Sequence, residues 1–200
     1  FSRYGVVAFA SSLDCPGLMT TSARKLKRYY LKLAKKDVFD ATTCSNKRSR
    51  LNQKQQIKSL GLPEQYFDKA VDPKVKKLVT QAAKLLEKNG IELKSVSLPH
   101  TKYGIAAYYI IAFVETASNL GRYDGVRFGN DRTNFGPEAK RRIVLGTFAS
   151  SAGYADKYYE QAAKVRTLII NDFKKAFEQV DAIIAPVCPS TAFKIGEKID

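Results

Sequence analysis

Few side chains in this 200-residue chain could do chemistry, and most of them gather in one stretch. The phrase AAYYIIAFVETASNLGRYDGVRFG, residues 106–129, carries Tyr108 and Tyr109, a lone Glu115, and then Asn119, Arg122, Asp124 and Arg127 among glycines. It begins like a buried helix and ends like a polar loop. A carboxylate in an apolar helix must be protonated or paired. Arg122 or Arg127 could pair Glu115, and a structural role outweighs a catalytic one, because ion-pair networks perturb carboxylates too. Tyr108, judged alone, is a tyrosine packed in a helix. Arg142, in KRRI, judged alone is a surface arginine four residues after Glu138, a pairing worth at most about 0.5 kcal/mol. Lys140 and Arg141 fit a plain surface role better still.

The remaining candidates mostly exclude. His100 is the single histidine, so a histidine-rich metal site is ruled out and no metal is expected. Its place directly after Pro99 suggests an exposed loop rather than a general base. Cys15, Cys44 and Cys188 are odd in number, far apart and without a C-x-x-C, which points to neither zinc nor a disulfide framework. A reducing compartment fits. FASS occurs at residues 9–12 and 148–151, but four shared residues are no repeat. Neither serine pair sits in a G-x-S-x-G elbow.

Net charge is +15, and it is uneven. Residues 24–58 hold twelve lysines and arginines against Asp37 and Asp40. Such a block could meet RNA phosphates through counterion release. The plainer reading is a solvated helix face followed by a basic linker over residues 38–58. No run of eighteen apolar residues exists, so no membrane span is expected. The chain opens on Phe1 without a signal-peptide pattern, which leaves room for a fragment.

The elements that must position these residues alternate. Tyr4–Phe9 suggests a short strand and SSLDCPG a turn. Ser22 can cap a helix through about Lys36, with Leu26, Tyr29, Tyr30 and Leu33 on its apolar side. Asp72 and Pro73 start the clearest helix, which Gly90 stops. IELKSVSLP alternates like a strand. Gly104–Leu120 is a helix apolar almost all round, expected to be buried on most sides. Pro137 opens another through about Ala152, and Tyr154–Val180 is long and amphipathic. DAIIAPVCP closes as a buried strand of the parallel type. The fold class is α/β, in layers.

Four phrases then carry a resemblance: RYGVVAFASSLDCPG, VSLPHTKYGIAAYYIIAFVETASNLGRYDGVRFG, FGPEAKRRIVLGTFASSAGYADKYYEQAAKVRTLIINDF and VDAIIAPVCPSTAFKIGE. Together, in this order, they resemble the amidase-signature family, and within it the A-subunit branch of the glutamyl-tRNA(Gln) amidotransferases. The resemblance implies an α/β/α sandwich, a mixed sheet flanked by helices, of which residues 1–200 form the central part of one domain. It implies amide hydrolysis by a Ser–cis-Ser–Lys triad, with glutamine as substrate. Ammonia would pass to a B subunit that uses ATP and Mg to convert Glu-tRNA(Gln) to Gln-tRNA(Gln), with a C subunit tying the two together. The tRNA would be held mainly by B, and no cofactor is implied for this chain. The setting would be a bacterial cytoplasm or an organelle's matrix or stroma.

Carried over by position, the family's glutamine-binding tyrosine falls on Tyr108, and the arginine gripping the substrate α-carboxylate falls on Arg142. The triad is expected before Phe1, and an aspartate for the substrate amino group after Asp200. Residues 1–200 alone are therefore expected to be inactive. There are departures. Between Arg127-Phe128-Gly129 and Phe135-Gly136 a helical insertion is short, and around IKSLGLPEQYF a strand looks clipped. Thr21 stands where arginine is usual, and the helix SARKLKRYYLKLAKK has no acid. The missing triad, and charge concentrated where the family lacks it, support an alternative: a catalytically dead amidase-like scaffold whose basic 24–58 region binds RNA or an acidic partner.

Overall fold

In a computed structural model that describes residues 1–43, 56–126 and 129–197, the chain forms two compact units, Gln56–Ala107 with Gln161–Asp200, and Phe1–Gln55 with Tyr108–Glu160. Among the described residues, no helix is long and apolar enough to cross a membrane.

The first of these units holds the sheet. Strand β1 (Ser59–Pro63) lies between β2 (Glu92–Val96) and β3 (Ala182–Ile183), parallel to both, with Ser59 opposite Glu92 and Leu60 opposite Ala182. The α/β class expected from the sequence is therefore present. No antiparallel strand pairs into this sheet among the described residues, so the mixed character expected of it is not seen there. The clipped segment around IKSLGLPEQYF supplies the central strand. Gly61 makes that possible, because a Cβ there would stand 3.0 Å from methyls of both Val96 and Val180. Asp181 anchors the start of β1: its carboxylate accepts the Lys58 and Ser59 N–H groups at 2.9 Å and the Ser59 hydroxyl at 3.0 Å. Those bonds, the backbone ones first, hold the Asp181 carboxyl below its ordinary range.

Helix α2 (Pro73–Lys88) starts as expected, with Asp72 accepting the Lys74 N–H at 2.7 Å. Gly90, at φ +88°, turns the chain into β2. Val96, Leu98, Ala176 and Val180 form the core here, with Tyr66, Phe173 and Ile183 packed against it. Phe173 and Ala176 come from helix α5 (Tyr159–Phe177), which starts after a series of turns rather than at Tyr154. His100 is not a free loop residue. Its backbone N–H donates to buried Asp172 at 2.8 Å, and its ring Nδ1 lies 3.0 Å from both carboxylate oxygens. Burial would raise the Asp172 pKa; the hydrogen bonds from His100 outweigh it, and the net shift is downward.

In the other unit, Tyr4–Phe9 is not a strand. It runs as turns and bends with Tyr4, Val6 and Val7 exposed, because no neighbouring strand among the described residues takes its backbone groups. Helix α1 (Ala23–Leu33) is capped by Ser22 as expected and stops short of Lys36. None of its residues is buried: Leu26, Tyr29, Tyr30 and Leu33 stay exposed, with the Phe1 ring edge-on to Tyr30 at 5.5 Å. Of the 38–58 linker, residues 44–55 lie outside the described residues.

The part before them is a tight turn built on Asp40. Its carboxylate accepts the Arg3 N–H at 2.7 Å, the Thr42 N–H at 2.9 Å and the Thr42 hydroxyl at 2.6 Å. These bonds, that of the Thr42 hydroxyl first, lower its pKa from 3.8 to about 2. A depressed carboxylate adds stability that is complete above its unfolded pKa and is lost as pH falls through the folded one. Anchoring of the Phe1–Thr43 arm is therefore expected to weaken as pH drops from 3.8 toward about 2. Asp40→Asn should flatten that part of the profile. Amide exchange at Arg3 and Thr42, followed through the acid range, checks it; an unchanged profile in the variant would reject the assignment.

Helix α3 (Gly104–Leu120) has the expected bounds, but not the expected burial. Ala107, Ile111, Ala112 and Thr116 are buried, whereas Ile105 is 73% exposed and Tyr108 and Tyr109 are also open. Helix α4 (Pro137–Ala149) starts at its proline and ends three residues early. It crosses α3 at Gly146, where a Cβ would lie only 1.8 Å from the Phe113 carbonyl oxygen.

Candidate functional site

The site is laid down by a loop fastened to α3. Asp14 accepts the Phe9 N–H at 2.9 Å and the Ala10 N–H at 3.1 Å, which closes residues 9–14 on themselves. Glu115 accepts the Ser12 N–H at 2.9 Å and its hydroxyl at 2.5 Å. Asn119 donates its amide to the Phe9 carbonyl at 3.1 Å and to the Ser11 hydroxyl at 2.9 Å. The pairing of Glu115 with Arg122 is thus corrected, and the one with Arg127 falls outside the described residues. Ser12 supplies its donors, and Arg122 donates Nε to the Asn119 carbonyl at 2.8 Å. The structural role expected of Glu115 stands. Sequence reasoning missed the partner because it lies 103 residues away.

That loop brings Phe9 to Arg142. The guanidinium carbon lies 5.3 Å from the Phe9 ring centre and 5.4 Å from that of Phe113, within cation–π range of both. Its Nε donates to Glu138 Oε1 at 2.6 Å. The Glu138 hydrogen bond above all, and the Tyr108 phenol after it, push the Arg142 pKa up against the opposing effect of burial. Tyr108 itself leans on Tyr109, ring centres 5.2 Å apart, and Tyr109 on Phe113 at 5.4 Å. Phe9 also forms part of the wall of an open cavity of about 520 Å³, with Val6, Val7, Cys15 and Phe39.

The structure therefore brings Tyr108 and Arg142 together, although 33 residues separate them and each had a plain alternative. It also separates the three cations of KRRI. The Arg142 side chain is 26% exposed and the Arg141 side chain 67%. Arg141 meets the other Glu138 oxygen at 2.5 Å, and Lys140 donates to the Thr133 carbonyl at 2.6 Å. Arg142 pairs with Glu138, as its plain reading had it, and it also lies beside a tyrosine in an aromatic frame. A guanidinium beside a phenol is suited to a carboxylate. The described residues contain no group of three or more His, Cys, Asp or Glu able to hold a metal ion.

The sequence profile of the family described as Amidase matches residues 1–200. The chain is 47% identical to the A subunit of glutamyl-tRNA(Gln) amidotransferase from Persephonella marina, covering 100% of this chain and 45% of that one. It is 45% identical, with the same coverage, to the corresponding protein from Myxococcus xanthus. Both alignments run over 218 residues, so at least some family positions have no counterpart among the 200 here. The crystal structure of the glutamyl-tRNA(Gln) amidotransferase A subunit from Thermotoga maritima superposes with a TM-score of 0.72 at 36% identity, covering 100% of this chain and 42% of that one. The chain thus spans under half the length of these relatives.

Proposed function

The chain belongs to the amidase family, and from that premise we propose that it is part of the glutamine-hydrolysing A subunit of a tRNA-dependent amidotransferase. In this proposal the complex converts Glu-tRNA(Gln) to Gln-tRNA(Gln). Its B and C subunits are the partners, with tRNA, ATP and Mg handled by B, in a bacterial cytoplasm or an organelle's interior. The part these residues play is recognition of glutamine. Arg142 takes the α-carboxylate, and the Tyr108 phenol closes over the substrate with one hydrogen bond. The observation that carries the reading is the convergence of Tyr108 on an Arg142 framed by Phe9 and Phe113. The test is ammonia release from L-glutamine by the full-length protein assembled with its partners. Wild type should saturate with glutamine, and Arg142→Ala should need far more of it; a variant with wild-type KM would reject the carboxylate role.

A second reading is favoured by α1. It carries Arg24, Lys25, Lys27, Arg28 and Lys32, no acid and no buried residue. We propose that this face meets RNA phosphates. Each phosphate contact adds close to one unit of salt dependence, so RNA affinity measured at rising salt should fall steeply. Affinity indifferent to salt would reject the contact.

A further inference from the structure

We infer that Glu138 is a positioning residue: through Arg142 it sets the affinity for the α-carboxylate of glutamine. The inference rests on the glutamine reading above. A guanidinium offers donors along three edges, and only some serve a carboxylate two at a time. Here Glu138 Oε1 occupies Nε at 2.6 Å. The Phe9 and Phe113 rings, 5.3 and 5.4 Å away, restrict the side chain further. What remains are the donors on Nη1 and Nη2, which the Tyr108 phenol also approaches and whose parallel N–H bonds match two carboxylate oxygens. Glu138 is itself fixed, because Arg141 holds its Oε2 at 2.5 Å.

An acid beside an anion site would ordinarily repel the ligand. In this cluster one carboxylate is shared by two arginines, so the group keeps a net positive charge and the incoming carboxylate still meets a cation. Nor does the pair matter much to folding. Glu138 is half exposed, and an exposed pair of this spacing contributes little to stability. Its effect belongs to ligand binding, through the direction in which Arg142 points.

The experiment uses the full-length protein and two amides: L-glutamine and γ-aminobutyramide, which is glutamine without its α-carboxylate. Glu138→Ala is expected to raise the glutamine KM about tenfold, the scale of one charge-assisted hydrogen bond, with kcat within about twofold. Glu138→Gln keeps the shape and one acceptor and should restore part of the affinity. For γ-aminobutyramide, as substrate or as competitor, both variants should match wild type. Arg142→Ala is run alongside. If its glutamine KM is unchanged, the glutamine reading falls. If it rises while that of Glu138→Ala does not, the positioning role alone falls. A loss shared equally by both amides, or a lowered Tm in Glu138→Gln, would make Glu138 a structural residue and overturn the inference.

Discussion

Replacing Gly146 with alanine is expected to destabilise the protein by about 3 kcal/mol or more, at the upper end of overpacking costs. The added Cβ would stand 1.8 Å from the Phe113 carbonyl oxygen, 2.4 Å from its carbonyl carbon and 2.9 Å from the Val114 nitrogen. All three are backbone atoms of a regular helix, so none can rotate aside. Alanine's better helix propensity recovers at most ~1 kcal/mol. The variant must move α4 away from α3, and the move carries Arg142 with it. Contact with Phe113 and Tyr108 then loosens, so under the proposed function glutamine affinity should fall along with Tm. Thermal melting by circular dichroism checks the first effect, and a wild-type Tm would show that the crossing is looser than the structure has it.

The second large effect concerns the cation itself. If the proposed glutamine site is right, Arg142→Ala in the full-length protein should raise the glutamine KM by about 10- to 100-fold, as loss of a charged hydrogen-bonded contact does. Arg142→Lys should recover little of this. A lysine ammonium is a compact point charge that cannot span two carboxylate oxygens as a planar fork does, although it could still sit within cation–π reach of Phe9 and Phe113, whose ring centres lie 5.3 and 5.4 Å from the guanidinium carbon. If the contact is equal in ground and transition states, kcat stays close to wild type. A lysine variant with near-wild-type KM would mean that charge alone is read, not the planar fork.

Which of these features the sequence could reveal depended on whether the signal was local. Asp72-Pro73, Gly104–Leu120 and Pro137 marked helix starts and lengths because caps and apolar spacing act within a few residues. Ser59–Pro63 was barely legible as a central strand, since Gly61 is required by the distant Val96 and Val180 and its lack of a side chain weakens the strand pattern. Tyr4–Phe9 had the right residues for a strand and no partner strand among the described residues. His100 looked idle because its partner, Asp172, lies 72 residues on. The same limit governed the site. Family resemblance singled out Tyr108 and Arg142, and no residue pattern distinguished Arg142 from Lys140 and Arg141. Only the crossing of α3 and α4 shows which cation turns toward the phenol.

The clasp of Asp181 on Ser59 also sets a clock on synthesis. The residues it joins are 122 positions apart, and β1 can pair with β3 only when both have left the ribosome. At typical elongation speeds that is a wait of roughly 6 to 24 s. Until then the central strand of this sheet has β2 on one side and an open edge on the other, available to any strand that passes.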